Sequence, residues 1–154
     1  MLAQELKDAH NMFILGRGSS ESIAKEGALK IKEITYIHAE GFASGALKHG
    51  PFALIEEGTP IVLIMLDDEY KDLMNEAFEQ VHGRGAKTIV ITTDPTLLTS
   101  KQKPHHVIKI EEAGMMTSLL SVVPLQMLAC YLSIARGYNP DTPRNLAKVV
   151  TVRG

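Results

Sequence analysis

The sequence predicts an α/β fold, a three-layer sandwich in which a parallel sheet lies between layers of helix. Three observations lead there. The runs Ile61 to Leu66 and Lys87 to Thr93 have the nearly unbroken hydrophobicity of strands covered on both faces, not the alternation of a half-solvated sheet. Stretches of helical periodicity separate the apolar runs, and strands alternating with helices assemble as parallel pairs joined by crossovers. A glycine-rich turn, Gly16-Arg17-Gly18-Ser19-Ser20, joins a further apolar run to a helix. Such turns lie on the rim beyond the carboxyl ends of the strands, where α/β sheets bind ligands.

Taken in order, Met1 to Ala9 reads as a short polar helix without the features of a secretion signal. Asn11 to Leu15 is the first strand, and Ser20 is the expected N-cap of the helix that follows. That helix runs to about Tyr36–His38. Its packing stripe is Ile23, Gly27, Ile31 and Ile34, with Lys25 and Lys32 on the opposite side. Glu26, Lys30 and Glu33 fall within about 60° of one another on an ideal helix and border the buried face. The segment from Glu40 to Gly50 reads as loop with one helical turn at Ala46–Lys48, before Pro51 and a short apolar run.

Pro60 introduces the strand Ile61–Leu66. Asp67-Asp68-Glu69 then opens a helix to about His82, with acids at its positive end. Gly83-Arg84-Gly85 ends it, Lys87–Thr93 is the next strand, and a turn forms around Asp94-Pro95. The last strand is His105 to Ile110. A long apolar helix, Met115 to Ala135, follows and is kinked or locally opened at Pro124. Residues 1–154 read as one domain, with 139–154 as an irregular C-terminal tail.

Composition removes several function classes. A formal charge of −2, a pI near 6.3 and no basic stripe argue against nucleic acid as a partner. The single cysteine, Cys130, allows no internal disulfide and fits a reducing, cytoplasmic setting. Met115 to Ala135 holds no charge and is long enough to span a bilayer, but Pro124, Gln126 and several hydroxyls favour a subunit-interface helix over a membrane segment. His105-His106 lacks a third ligand at a diagnostic spacing, so neither a metal nor another cofactor is expected.

Two readings of the charged group on the first long helix follow from spacing. One is an i,i+4 Glu26–Lys30 pair that supports the helix by a few tenths of a kcal/mol. The other is a carboxylate and an amine in a half-desolvated cleft, tuned for proton transfer. His49, between Leu47-Lys48 and Gly50-Pro51, reads equally as a turn residue. The Gly16–Ser20 turn offers backbone N–H groups that can cradle an anion, with Ser19 and Ser20 as candidate substrate contacts, or it is a plain tight turn.

The runs EGALKIKEITYIHAEG, GALKHGP and PRNLAKVVTV resemble the C-terminal part of glutamine–fructose-6-phosphate aminotransferase (glucosamine-6-phosphate synthase), from about Phe13 to Val152. In that family this region is the second of two sugar-isomerase (SIS) domains. The resemblance implies conversion of fructose-6-phosphate to glucosamine-6-phosphate. Glu33 is then the proton shuttle, and Lys30 the cation beside the sugar oxygen. It makes His49 the ring-opening group, reaching a neighbouring subunit's site, and Lys148 the amine that forms an imine with the ketose, with Ala147 beside the substrate. It implies a homodimer, and a glutaminase and a first SIS domain as the partners in a full-length enzyme.

Three departures qualify it. The family commonly has GELKHGP, and Ala46 stands here in place of the glutamate. Met1-Leu2 is not the start of a glutaminase domain. The family's phosphate-binding Ser/Thr loop has Asp67-Asp68-Glu69 as its counterpart, so the isolated domain is expected to be weak or inactive. The alternative is a non-catalytic SIS module that binds sugar phosphates or dimerises.

Overall fold

The computed structural model describes residues 2–146. Five parallel strands form one sheet in the order β2-β1-β3-β4-β5. They are β1 Asn11–Gly16, β2 His38–Ala43, β3 Pro60–Met65, β4 Lys87–Thr92 and β5 His106–Lys109. The helices are α1 Leu2–Leu6, α2 Ser19–Thr35, α3 Lys71–His82, α4 Thr117–Leu120 and α5 Val122–Ala135.

Side chains alternate across a strand, so a strand covered on both faces feeds two cores. Met12, Ile14, Val62, Ile64, Ile89 and Ile91 join Ala24, Ile31, Leu125 and Leu128 on the side of α1, α2 and α5. Phe13, Leu15, Ile61, Leu63, Met65 and Val90 join Met74, Phe78 and Val81 on the side of α3. The three-layer sandwich is therefore built as the apolar runs dictate.

Four details differ from the sequence reading. His38–Ala43 is an edge strand, paired in register with β1 from Asn11↔His38 to Gly16↔Ala43. A six-residue 3-10 turn, Ser44–His49, follows it. The N-cap of α2 is Gly18, not Ser20. Its φ of 57° suits glycine, and a Cβ there would stand 2.3 Å from the Tyr70 ring. The buried stripe of α2 is Ala24, Gly27, Ala28, Ile31 and Thr35, while Ile23 and Ile34 lie half-buried at its border. Small residues take the centre because α2 lies close to α5. A Cβ on Gly27 would come within 2.5 Å of Leu125 Cδ1.

The fourth difference is the apolar stretch, which is two helices that break at Ser121 rather than one kinked or opened at Pro124. Proline lacks the N–H that would bond the carbonyl four residues earlier, and its ring clashes there. The interruption therefore falls one turn ahead of Pro124, which sits in the first turn of α5 where a missing N–H costs nothing. Gly114–Ala135 is long and apolar enough for a membrane span by length and composition. In the fold, Leu125, Leu128, Ala129 and Leu132 of α5 are core residues packed beside α2.

Candidate functional site

α2 starts at the rim formed by the carboxyl ends of the strands and runs antiparallel to β1, so its last turn lies at the opposite rim. There Lys30 Nζ is 2.7 Å from Glu33 Oε2 and 3.7 Å from Glu26 Oε1. The Lys30 and Glu33 side chains keep 35% and 30% of their exposure, which sets both groups at the border of solvent and core. The bond from Glu33 raises the Lys30 pKa above the ordinary lysine value, against the opposing pull of burial. Lys30 therefore stays an ammonium and serves as a fixed positive charge rather than a base.

The end of α2 is closed tightly. Thr35 Oγ1 donates to the Ile31 carbonyl at 2.7 Å and accepts from the Ile37 N–H at 3.2 Å. Between them Tyr36 adopts φ 61°, a left-handed conformation that costs an L-residue roughly 1–2 kcal/mol. Tyr138 meets its ring edge-on at 4.8 Å, and the Arg144 guanidinium lies 3.9 Å from the ring centroid. The Arg144 N–H donates to the Tyr36 hydroxyl at 2.9 Å. Strained residues of this kind persist where the surroundings over-determine them. Here the over-determination comes from Tyr138 and Arg144, which pack on the residue that closes the helix carrying Glu33. Ala147 and Lys148 lie outside the described residues.

At the other rim, Gly16 and Gly18 shape the turn into α2. A Cβ on Gly16 would stand 2.2 Å from the Ser20 carbonyl oxygen. Ser20 is consequently tucked under the turn, 1% exposed, and its hydroxyl has no hydrogen-bond partner among the described residues. Ser19 lines a cleft of about 200 Å³ with Thr117, Asp67, Asp68 and Glu112, and the three carboxylates disfavour a phosphate. His49 also belongs to this rim. β2 runs parallel to β1 and delivers the Ser44–His49 turn to the carboxyl ends of the strands. Leu47 is buried and anchors that turn, while Lys48 and His49 are exposed.

Within one chain the candidate residues therefore form two groups. Lys30 and Glu33 are bonded, with Tyr36 one turn on. Ser19, Ser20 and His49 are at the far end, and the 14 residues from Ser19 to Glu33 span about 21 Å of helix. Tyr36 and Arg144 escape a reading of the sequence, since a tyrosine carries no cue for a positive φ. Among the described residues, no group of three His, Cys, Asp or Glu side chains is placed to hold a metal.

Known proteins resemble this chain in sequence and fold. Glutamine–fructose-6-phosphate aminotransferase of Corynebacterium glutamicum is 46% identical over 156 residues, covering 98% of this chain and 25% of the relative. The enzyme of that name from Thermococcus kodakarensis is 45% identical over 151 residues, with the same two shares. The chain thus spans about one quarter of the length of these relatives. Among solved structures, the C-terminal domain of glucosamine-fructose-6-phosphate aminotransferase from Francisella tularensis superposes with a TM-score of 0.86 at 34% identity, over 92% of this chain and 40% of that one. The SIS domain profile matches residues 5–136, and a match over that much of a five-stranded parallel sandwich places the chain in the SIS domain family.

Proposed function

We propose that the chain is the second sugar-isomerase unit of a glutamine–fructose-6-phosphate aminotransferase-type enzyme. It contributes residues for the ketose/aldose step from fructose-6-phosphate to glucosamine-6-phosphate. The observation that carries this reading is the half-buried 2.7 Å Lys30–Glu33 pair, in a chain 46% identical to such an enzyme. Glu33 moves the proton between C1 and C2 of the open-chain sugar imine, and the Lys30 ammonium offsets charge developing on the neighbouring oxygen. His49 opens the sugar ring. Lys148 forms the imine with the ketose, next to Ala147 at the substrate, and the Arg144–Tyr36 contact holds the chain four residues before Lys148 beside the end of α2.

The separation of His49 from Glu33 supports a homodimer in which one copy's His49 completes the other's site. α4 and α5 offer a face for pairing. Leu119, Val123, Met127, Tyr131 and Ile134 recur at helical spacing and are each about half exposed. With Met115 and Met116 they form a row of exposed large apolar side chains of the kind found at the centre of subunit interfaces, which bury about 800 Å² per partner. The remaining three quarters of the relatives' length leaves room for the glutaminase and first SIS units, and the assembly works in the cytoplasm.

The test is a chimera in which this chain replaces the matching quarter of the Corynebacterium glutamicum enzyme. Fructose-6-phosphate isomerisation should fall about 10²–10⁴-fold in Glu33→Gln, the usual cost of a lost acid–base group, with melting temperature retained. Lys25→Ala, on the solvent side of α2, should match the parent. An unchanged rate in Glu33→Gln would reduce the pair to a helix-stabilising ion pair.

A further inference from the structure

The glycine-rich turn sends its side chains to two different places. Ser19 faces the acidic cleft, whereas Arg17 points to the α3 side. There the Arg17 guanidinium carbon is 5.8 Å from the centre of the Tyr70 ring, and its Nη1 approaches the Ser44–His49 turn. Gly45 makes room for it, since a Cβ at that position would stand 2.6 Å from Nη1. Arg17, Ser44, Gly45 and Lys48, with Glu76 and Gln80 of α3, line a cavity of about 70 Å³. A water occupies about 30 Å³ of liquid, so the space suits two waters or one tetrahedral oxyanion.

Three features point to the oxyanion. First, Arg17 is half-buried, yet no carboxylate lies within 4.0 Å of it or of Lys48 among the described residues. Two unpaired cations on one small cavity repel each other, and Glu76, the one acid on the wall, leaves the lining with a net positive charge. Second, the donors differ in kind and are complementary. A guanidinium forks onto two oxygens, an ammonium adds a point charge, and the Ser44 hydroxyl, 7% exposed, supplies a neutral donor. Third, the cavity lies past the carboxyl ends of β1 and β2, at the rim where open α/β sheets present ligand-binding loops, since Arg17 follows β1 and Ser44, Gly45 and Lys48 follow β2.

We propose that this cavity binds a phosphate group, free or on a small ester, through Arg17, Lys48 and Ser44. The site is separate from Lys30 and Glu33, and its existence does not depend on the isomerase reading.

The experiment is titration of the 154-residue chain with inorganic phosphate at constant ionic strength, followed by amide chemical shifts and calorimetry. Saturable binding is expected, with shifts at Arg17, Ser44 and Lys48. Arg17→Gln should weaken it about tenfold or more, as for a lost charge-assisted hydrogen bond. Gly45→Ala keeps every charge but displaces the guanidinium, and should weaken it several-fold. Lys25→Gln should bind like the parent. A parallel titration with a sugar phosphate distinguishes free phosphate from an ester by which binds more tightly. Should Arg17→Gln fail to fold, the exposed Lys48→Gln decides in its place. Absence of saturable binding, or equal binding by parent, Lys48→Gln and Gly45→Ala, would overturn the proposal.

Discussion

The Tyr36 hydroxyl accepts a hydrogen bond from the Arg144 N–H at 2.9 Å, joining residues 108 positions apart. The Arg144 guanidinium stacks on the same ring, so one tyrosine holds both the backbone and the side chain of the approach to the C-terminal tail. Tyr36→Ala should therefore release the already exposed Arg144–Asn145 bond from its tether, and limited trypsinolysis followed by mass spectrometry should show several-fold faster cleavage there. Tyr36→Phe keeps the stacking and loses only a hydrogen bond worth about 1 kcal/mol, so its cleavage rate should fall between the two.

A second prediction concerns acid. The Thr88 N–H donates to His105 Nδ1 at 3.1 Å, and Thr88 Oγ1 lies 3.2 Å from the same nitrogen. A backbone N–H can only donate, so this nitrogen must be unprotonated for the bond to form. Partial desolvation, and then repulsion from His82, Lys87 and His106, hold the His105 pKa below the ordinary 6.5, with Glu5 opposing, and because His105 keeps much of its exposure the effect on stability is small. Between that lowered value and 6.5 the unfolded chain binds more protons than the folded one, so stability rises with pH and is fully present above 6.5. Thermal melting should show a lower transition temperature at pH 5.5 than at pH 7.5, about a unit either side of the ordinary histidine value. The difference should shrink in His105→Asn. Glu5 adds a further loss at lower pH, because its bonds to His106 and Lys87 depress its pKa below 4.5.

A third prediction addresses pairing. Met127 sits in the middle of the exposed α5 stripe and also borders the apolar groove beside β5. Met127→Lys should leave the fold intact, because the side chain is 51% exposed, yet place a charge at the centre of a pairing face. Sedimentation at tens of micromolar should then change from dimer to monomer. A parent that already sediments as a monomer would remove the homodimer from the proposed function.

Legibility in the sequence followed burial. β3 and β4 could be read because both their faces are covered, which leaves an unmistakable apolar run. β2 could not, because it is an edge strand whose only fully buried residue is Ala39, and Glu40-Gly41 looks like loop chemistry. Small residues misled the helix reading in the same way. Of the stripe read from periodicity, Gly27 and Ile31 are buried, but Ile23 and Ile34 lie at its border and Ala24 and Ala28, too small to stand out in a hydrophobic pattern, share its centre. Lys30 and Glu33 were legible as a pair because helical spacing alone brings them together. The Tyr36–Arg144 contact and the Arg17 cavity depend on where distant segments meet, and local spacing contains no information about that.

The missing side chain at Gly27 has a mechanical meaning. With Leu125 occupying the space a Cβ would fill, α2 and α5 leave no room for a larger residue at this point of contact. The contact lies three residues before Lys30 and six before Glu33 on the same helix, so bulk added at Gly27 would act as a wedge, prising α5 from the helix that carries both charged groups.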